Sequence, residues 1–439
     1  MERIELARFL GAGGATGGPL DVTIAQIQTG RFMEEFGSAV AAGGTVFVAD
    51  PSWGAVEREQ FAAVVAQASG AKRQSQIADG KSPTADRQLQ IPDGQSEIGN
   101  QKSKIEQGWL CLPTGGSSGA LRWALHDQDT LSAAVHGCCG HFEVSQINAV
   151  GVLPLHHVSG LMAWMRCALT GGRYVPWDWA VLEAGRWPQL AAGDWFLSLV
   201  PTQLQRLLSR PEATDWLRRF RAVFIGGGPA WPELLDRAAE ARLPLAPGYG
   251  MTETAAMVAA LRPEEFLQGR RGCGAALPHA GLTLGEDGVI EITTKSLFRG
   301  YYPAWREAAG AWRTEDLGRI DEQGGLHVLG RRDAIIISGG KKIEPAEVEA
   351  VLRATGQFVD VAVVAVPDAE WGEMVVACYP ADANAPDLAC VDEHLAGKLA
   401  SHKRPKRYMP VAWPRKAQGK INRQALVALA AAAIKGGAG

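Results

Sequence analysis

Residues 112–123 read LPTGGSSGALRW. Glycine lets successive backbone N–H groups turn toward one anion, and the hydroxyls of Thr114, Ser117 and Ser118 add donors. The chemistry on offer is a cradle for phosphate. A Walker loop requires G-x-x-x-x-G-K-[ST]. Five positions beyond Gly115 stands Ala120, and five beyond Gly116 stands Leu121, so that motif is excluded. A G-x-G-x-x-G fingerprint is missing here as well. Taken alone, the stretch fits a solvated turn as well as a phosphate loop.

Other chemistry-bearing groups lie downstream. GYGMTETAA (248–256) sets Thr252 and Glu253 close to Tyr249. GGGP (226–229) closes a strand-like run, where glycine admits close approach by a flat ligand or simply makes a turn. RTEDLGRID (313–321), GRRDAIIISGGKKIEPAEVE (330–349) and QGKINR (418–423) follow. Each has a plainer alternative. Glu253 could be a helix N-terminal acid, Tyr249 a core aromatic, His156 a packing histidine, and Lys420 a solvated lysine in a basic run.

In this order, from about residue 105 to about 425, these motifs resemble the adenylate-forming superfamily of acyl-CoA synthetases, luciferases and peptide-synthetase adenylation domains. LPTGGSSGALRWALHDQDTL, LPLHHVSGL and GYGMTETAA are most similar to its o-succinylbenzoate–CoA ligases of the cyanobacterial type. The resemblance implies MgATP and coenzyme A as co-substrates and an aromatic dicarboxylic acid as acyl donor. It implies that Thr114, Gly115, Gly116, Ser117, Ser118 and Gly119 hold the β- and γ-phosphates. Thr252 would contact the α-phosphate, Glu253 would ligate Mg²⁺, and Tyr249 would stack on adenine beside Gly227 and Gly228. Asp316 would bind the ribose hydroxyls with Arg331 near by. Gly226, His157 and Ser159 would meet the acyl group, and Gly339 and Gly340 would face coenzyme A. Asp333 would be the hinge, and Lys420 would stabilise charge during adenylation only. Two departures stand out. The loop ends Leu121-Arg122 where the superfamily has Pro-Lys, and the region before residue 105 is short.

The elements that must carry these groups alternate. Strand-like INAVGVLPL, DWFLSLVP and RAVFIGGGP are interleaved with helix-patterned SGLMAWMRCAL, TQLQRLLS and AWPELLDRAAEA. That rhythm predicts an α/β fold with parallel sheet. GLTLGEDGVIEITT and GRIDEQGGLHVLG read as hairpins with glycine-rich turns. The last hundred or so residues read as a small α+β unit. The expected division is a large N-terminal domain of mixed and parallel sheets with helices, 1–331, and a small mobile C-terminal lid, 332–439. Residues 71–107, rich in Gln, Ser, Lys, Asp and Gly, read as a mobile insertion.

Composition bounds the rest. With 439 residues, 46% hydrophobic and a net charge of −3, nothing calls for nucleic acid or an acidic membrane as partner. The terminal ALVALAAAAI is too short to span a bilayer. Seven cysteines without C-x-x-C predict reduced thiols and a cytoplasmic protein. The nine histidines and seven cysteines show no zinc spacing. A homo-oligomer is left open.

Overall fold

The structure is a computed structural model. It describes residues 22–25, 28–53, 55, 57–65, 109–115, 121–191, 193–306, 310–358, 360–414 and 421–436. Gly116, Ser117, Ser118 and Gly119 of the loop, Lys420, and the 71–107 stretch lie outside the described residues.

Four sheets follow one another along the chain. The first joins β1 (Val22–Ile24), β2 (Val46–Val48), β3 (Leu110–Gly115) and β4 (Leu121–His126), parallel except for the antiparallel pair β3–β4. The second has seven strands: β5 (Asn148–Gly151), β6 (Tyr174–Pro176), β7 (Trp195–Leu199), β8 (Ala222–Ile225), β9 (Leu245–Met251), β10 (Ala256–Ala260) and β11 (Ala275–Ala276). Its order is β11-β10-β9-β8-β7-β5-β6, with β5 to β9 parallel and β10 and β11 antiparallel at one edge. These central strands are buried on both faces, which is why they read as continuous apolar runs rather than alternating ones.

The predicted hairpins form the third sheet, β12 (Ala280–Leu284), β13 (Val289–Thr294), β14 (Trp312–Ile320) and β15 (Leu326–Arg331), all antiparallel. A short 3-10 turn, Arg332–Ala334, leads to the fourth. That sheet holds β16 (Ile336–Ser338), β17 (Lys341–Ile343), β18 (Ala362–Asp368), β19 (Gly372–Pro380) and β20 (Arg407–Val411). The architecture is α/β with an additional C-terminal α+β unit, as the sequence predicts.

Helices α1 (Gln128–Phe142) and α2 (Val158–Thr170) pack between the first two sheets. The α1 start is strongly specified. Asp127 accepts from the N–H groups of Asp129 and Thr130, and the Asp127 N–H in turn donates to the Thr130 hydroxyl oxygen. In the C-terminal unit, α3 (Pro345–Ala354) and α4 (Leu388–Lys398) cover one side of the sheet and α5 (Arg423–Gly436) the other. Among the described residues, no helix is long and apolar enough to cross a membrane.

Candidate active site

The most telling local geometry is at Thr252–Thr254. The sequence allows these residues to begin a helix. They form instead a single 3-10 turn between antiparallel β9 and β10. The turn is followed by two alanines in left-handed conformation, Ala255 (φ 50°) and Ala256 (φ 77°). Such backbone costs about 1–3 kcal/mol per residue and persists only where neighbours over-determine it. Three neighbours do. His126 Nε2 bonds the Thr252 carbonyl at 2.8 Å, Phe298 N–H donates to the Glu253 carbonyl at 2.7 Å, and Ser296 Oγ donates to the Thr254 carbonyl at 2.8 Å. The result aims one carboxylate.

That carboxylate is Glu253, only 7% exposed. Tyr301 Oη donates to its Oε1 at 2.7 Å, and Thr114 Oγ1 reaches the same oxygen at 3.4 Å. Thr114 lies at the end of β3, one residue before Gly115 and opposite Arg122. Thr114, at the start of the glycine-rich stretch, therefore meets the Thr-Glu turn. Both of these bonds fall on Oε1, so Oε2 is the oxygen a hard cation would take, a donor type that suits Mg²⁺.

Arg122, the departure from the superfamily pattern, stacks its guanidinium 4.2 Å above the Tyr301 ring. Burial, then repulsion from Glu253, pushes the Tyr301 hydroxyl well above the usual tyrosine range, so it remains a donor. Neither Tyr301 nor His126 was singled out by the sequence. His126 is fully buried, and burial pushes it down to about 4 against the Thr252 carbonyl bond. It is thus neutral near pH 7. The carbonyl can only accept, so Nε2 carries the proton.

A second station involves Asp316. Tyr249 Oη donates to its Oδ2 at 2.7 Å, and Arg331 NH1 reaches Oδ1 at 3.3 Å from the directly opposite position on β15. Arg331 also clamps Asp333 through Nε at 2.8 Å and NH2 at 2.7 Å. Tyr249, expected on adenine, has its ring in a core cluster with Val258, Ile290 and Ile292, and its hydroxyl bonds Asp316, the expected ribose acid.

The glycines after β8 are not demanded by packing alone. A Cβ on Gly228 would meet nothing within 4 Å, and one on Gly226 only the Gly248 carbonyl at 3.7 Å; Gly227 has φ 79°. Close by, Arg166 of α2 is 4% exposed, its guanidinium 5.5 Å from the Phe224 ring. Its Nε has no hydrogen-bond partner among the described residues. His279, held down to about 4 by burial and then by Arg166, has two buried ring nitrogens that are likewise unpartnered there.

His157 caps α2, with Ser159 in the first turn. The helix is pressed against its own approach, since a Cβ on Gly160 would sit 2.2 Å from the Pro154 carbonyl. His157 and His156 face Asp50, which the sequence did not connect to them. Burial lowers the His156 pKa, and Asp50 opposes it. Leu155 and Val158, which flank the double histidine, belong to the same core cluster as Ala255 and Ala256. Gly339 (φ 55°) and Gly340 (φ 75°) make the β16–β17 turn, where the Gly339 N–H donates to the Trp371 carbonyl at 2.9 Å. Lys406 caps the Trp371 ring at 4.9 Å.

Thr114 against a strapped Thr-Glu turn, Asp316 paired with Tyr249 on the next sheet, and a separate C-terminal α+β unit fit the expected adenylate-forming architecture. Residues 6–302 match the family described as AMP-binding enzyme, and residues 347–420 match its C-terminal domain. The chain belongs to the AMP-binding enzyme family. It is 34% identical over 325 residues to the 2-succinylbenzoate–CoA ligase of Geobacillus kaustophilus, covering 70% of this chain and 62% of that one. It is 31% identical over 337 residues to the enzyme of that name from Enterococcus faecalis, covering 73% and 69%. The chain thus spans roughly two thirds of the length of these relatives. Its fold matches that of o-succinylbenzoate CoA synthetase (MenE) from Bacillus subtilis in complex with the acyl-adenylate intermediate OSB-AMP, with a TM-score of 0.72, 22% identity, and coverage of 97% and 91%.

Proposed function

We propose that this protein is an acid–thiol ligase that joins 2-succinylbenzoate to coenzyme A at the expense of ATP. In the first half-reaction a carboxylate oxygen attacks the α-phosphorus. The bond to the β-phosphate bridging oxygen breaks, and pyrophosphate leaves. In the second, the coenzyme A sulfur attacks the acyl carbon, loses its proton, and AMP departs with the electron pair of the acyl–oxygen bond. Such chemistry is mainly positioning and charge stabilisation. The step belongs to menaquinone or phylloquinone synthesis, and the seven free cysteines suit a reducing cytoplasm.

The observation that carries the reading is Glu253, buried in the Thr-Glu turn and oriented by Tyr301 and by Thr114 at the start of the glycine-rich stretch. Glu253 would hold Mg²⁺, which when bound neutralises phosphate charge. The Thr252 hydroxyl would bond the α-phosphate, with Thr114, Gly115 and residues 116–119 around the outgoing phosphates. Asp316, steadied by Tyr249 and Arg331, would accept from the ribose hydroxyls. Gly226, Gly227 and Gly228 would leave room for adenine and the acyl group. His157 and Ser159 would line the acyl pocket.

The second carboxylate of the substrate needs a cation. Arg166 is our assignment. An arginine is always charged, and burying it without an acceptor is costly. An aryl carboxylate supplies that acceptor. For the thioester half, Gly339 and Gly340 would face the pantetheine arm, with Lys406 available to a phosphate. Asp333 would be the pivot of a domain comprising 332–439. Lys420 would serve adenylation alone.

The test is pyrophosphate release with a panel of acids. Release dependent on 2-succinylbenzoate is expected. Release with benzoate or a fatty acid but not with 2-succinylbenzoate would overturn the substrate, and no release with any acid would overturn the ligase.

A further inference from the structure

We infer that Asp50, His156 and His157 form a binding site for one divalent transition-metal ion of the zinc type, separate from the Mg²⁺ and nucleotide chemistry above. One ligand atom from each residue lies within 4.8 Å of the others. His156 Nε2 stands 3.5 Å from Asp50 Oδ1, and His157 Nε2 stands 4.0 Å from Oδ2. These separations are too long for N–H···O hydrogen bonds, which cluster at about 2.7–3.2 Å. They are close to the spacing of two ligands on a shared ion. With metal–ligand bonds of about 2.0–2.1 Å, tetrahedral neighbours lie about 3.3 Å apart. The His156–Asp50 pair is already near that spacing, and the ligand atoms farther apart, all within 4.8 Å, would draw together around an ion.

The carboxylate itself lacks something. The Asp50 side chain is 2% exposed. Its Oδ1 accepts from Ser52 N–H at 2.9 Å and Ser52 Oγ at 2.6 Å, while Oδ2 has no hydrogen-bond partner among the described residues. His156 Nε2, 3.5 Å from Oδ1 of the same carboxylate, has none there either. Buried polar atoms are nearly always satisfied, and a cation satisfies both of these at once. Two imidazoles and one carboxylate suit Zn²⁺ or Co²⁺, not Mg²⁺ or Ca²⁺, and three protein ligands leave a fourth position for water. The ligands are held in place: Asp50 by Ser52, and the histidines by the close packing of Gly160 on Pro154. The ion would tie the segment after β2 in the first sheet to the start of α2 beside the second.

The experiment uses the full chain, free of any affinity tag, stripped with a chelator and titrated with Co²⁺. One Co²⁺ per chain is expected, with the visible spectrum of four-coordinate cobalt, no thiolate charge-transfer band, and displacement by Zn²⁺. Asp50→Asn and His156→Asn should each weaken binding by about tenfold or more. A wild-type chain without that spectrum would overturn the site, as would a spectrum unchanged in both variants when circular dichroism shows them folded. X-ray absorption on the zinc-loaded wild type needs no variant: two imidazoles with oxygen are expected, and sulfur or a single imidazole would overturn the assignment.

Discussion

Glu253 is useful only if its carboxylate points one way. Tyr301 is the side chain that fixes it, at 2.7 Å. A hydrogen bond to a charged group contributes about 1.5–3 kcal/mol, so Tyr301→Phe should slow adenylation about ten- to a hundredfold, measured as pyrophosphate release, with the coenzyme A half-reaction from supplied acyl-adenylate less affected. Equal loss in both would remove Tyr301 from the adenylation machinery. His126 carries a pH consequence. Its pKa falls from 6.5 unfolded to about 4 folded, so below pH 6.5 the unfolded chain takes up a proton that the native chain refuses. The native state loses stability as pH drops through that window, by about 2 kcal/mol at pH 5. His126→Gln, which can still donate to the Thr252 carbonyl, should flatten the dependence in denaturant titrations at pH 8 and pH 5. An unchanged slope would count against a neutral buried His126. Arg166→Gln tests the second carboxylate. KM for 2-succinylbenzoate should rise about tenfold or more while an aryl monocarboxylate is treated as before. A parallel rise for both acids would assign Arg166 to packing.

The hairpin that presents Glu253 works because β9 and β10 approach unusually closely. A Cβ on Gly250 would lie 1.9 Å from the Ala256 carbonyl, backbone against backbone, so nothing flexible can give way. Gly250→Ala should therefore destabilise the protein by about 2–3 kcal/mol or more, read as a lower denaturation midpoint, and should disturb the Thr-Glu turn. A variant as stable as the parent would refute the tight approach. At this scale the sequence was largely readable. Helical spacing in SGLMAWMRCAL foretold α2, and the paired glycine-turn segments foretold the third sheet. The Thr-Glu-Thr turn was less readable, because a helix cap and a 3-10 turn demand the same hydroxyl and acid. Residues brought in from elsewhere in the chain could not be read at all. His126, Tyr301 and Asp50 sit in ordinary strand or loop sequence and acquire meaning only through their partners. The roles of Asp316, Arg331 and Lys420 were suggested by motif resemblance, while the Tyr249–Asp316–Arg331–Asp333 chain emerged only from the register of β14 and β15 and the turn that follows.

At the scale of the molecule, several polar contacts between the C-terminal unit and the rest are cheap to break. Arg332 pairs with Glu315 at 2.9 Å and with Asp287 at 3.4 Å, all three side chains about half exposed. Such pairs contribute about 0–1 kcal/mol each. Arg353 of α3 lies 5.4 Å from the Trp231 ring, a cation–π contact of about 0.5–1 kcal/mol. The bidentate Arg331–Asp333 pair sits within the turn itself and need not be lost in a rotation. Polar contacts this weak suit the proposal that the unit would present Lys420 for one half-reaction and the Gly339–Gly340 turn for the other. Lys420→Ala then separates the halves. Removing one charge that acts on a developing phosphate transition state costs about a hundred- to a thousandfold, so pyrophosphate release should fall by that factor. Thioester formation from supplied acyl-adenylate and coenzyme A should stay within a few fold of the parent if, as proposed, Lys420 acts in adenylation alone. A rapid-quench measurement of each half-reaction decides the matter: equal losses would mean that one arrangement of the two units serves both chemistries.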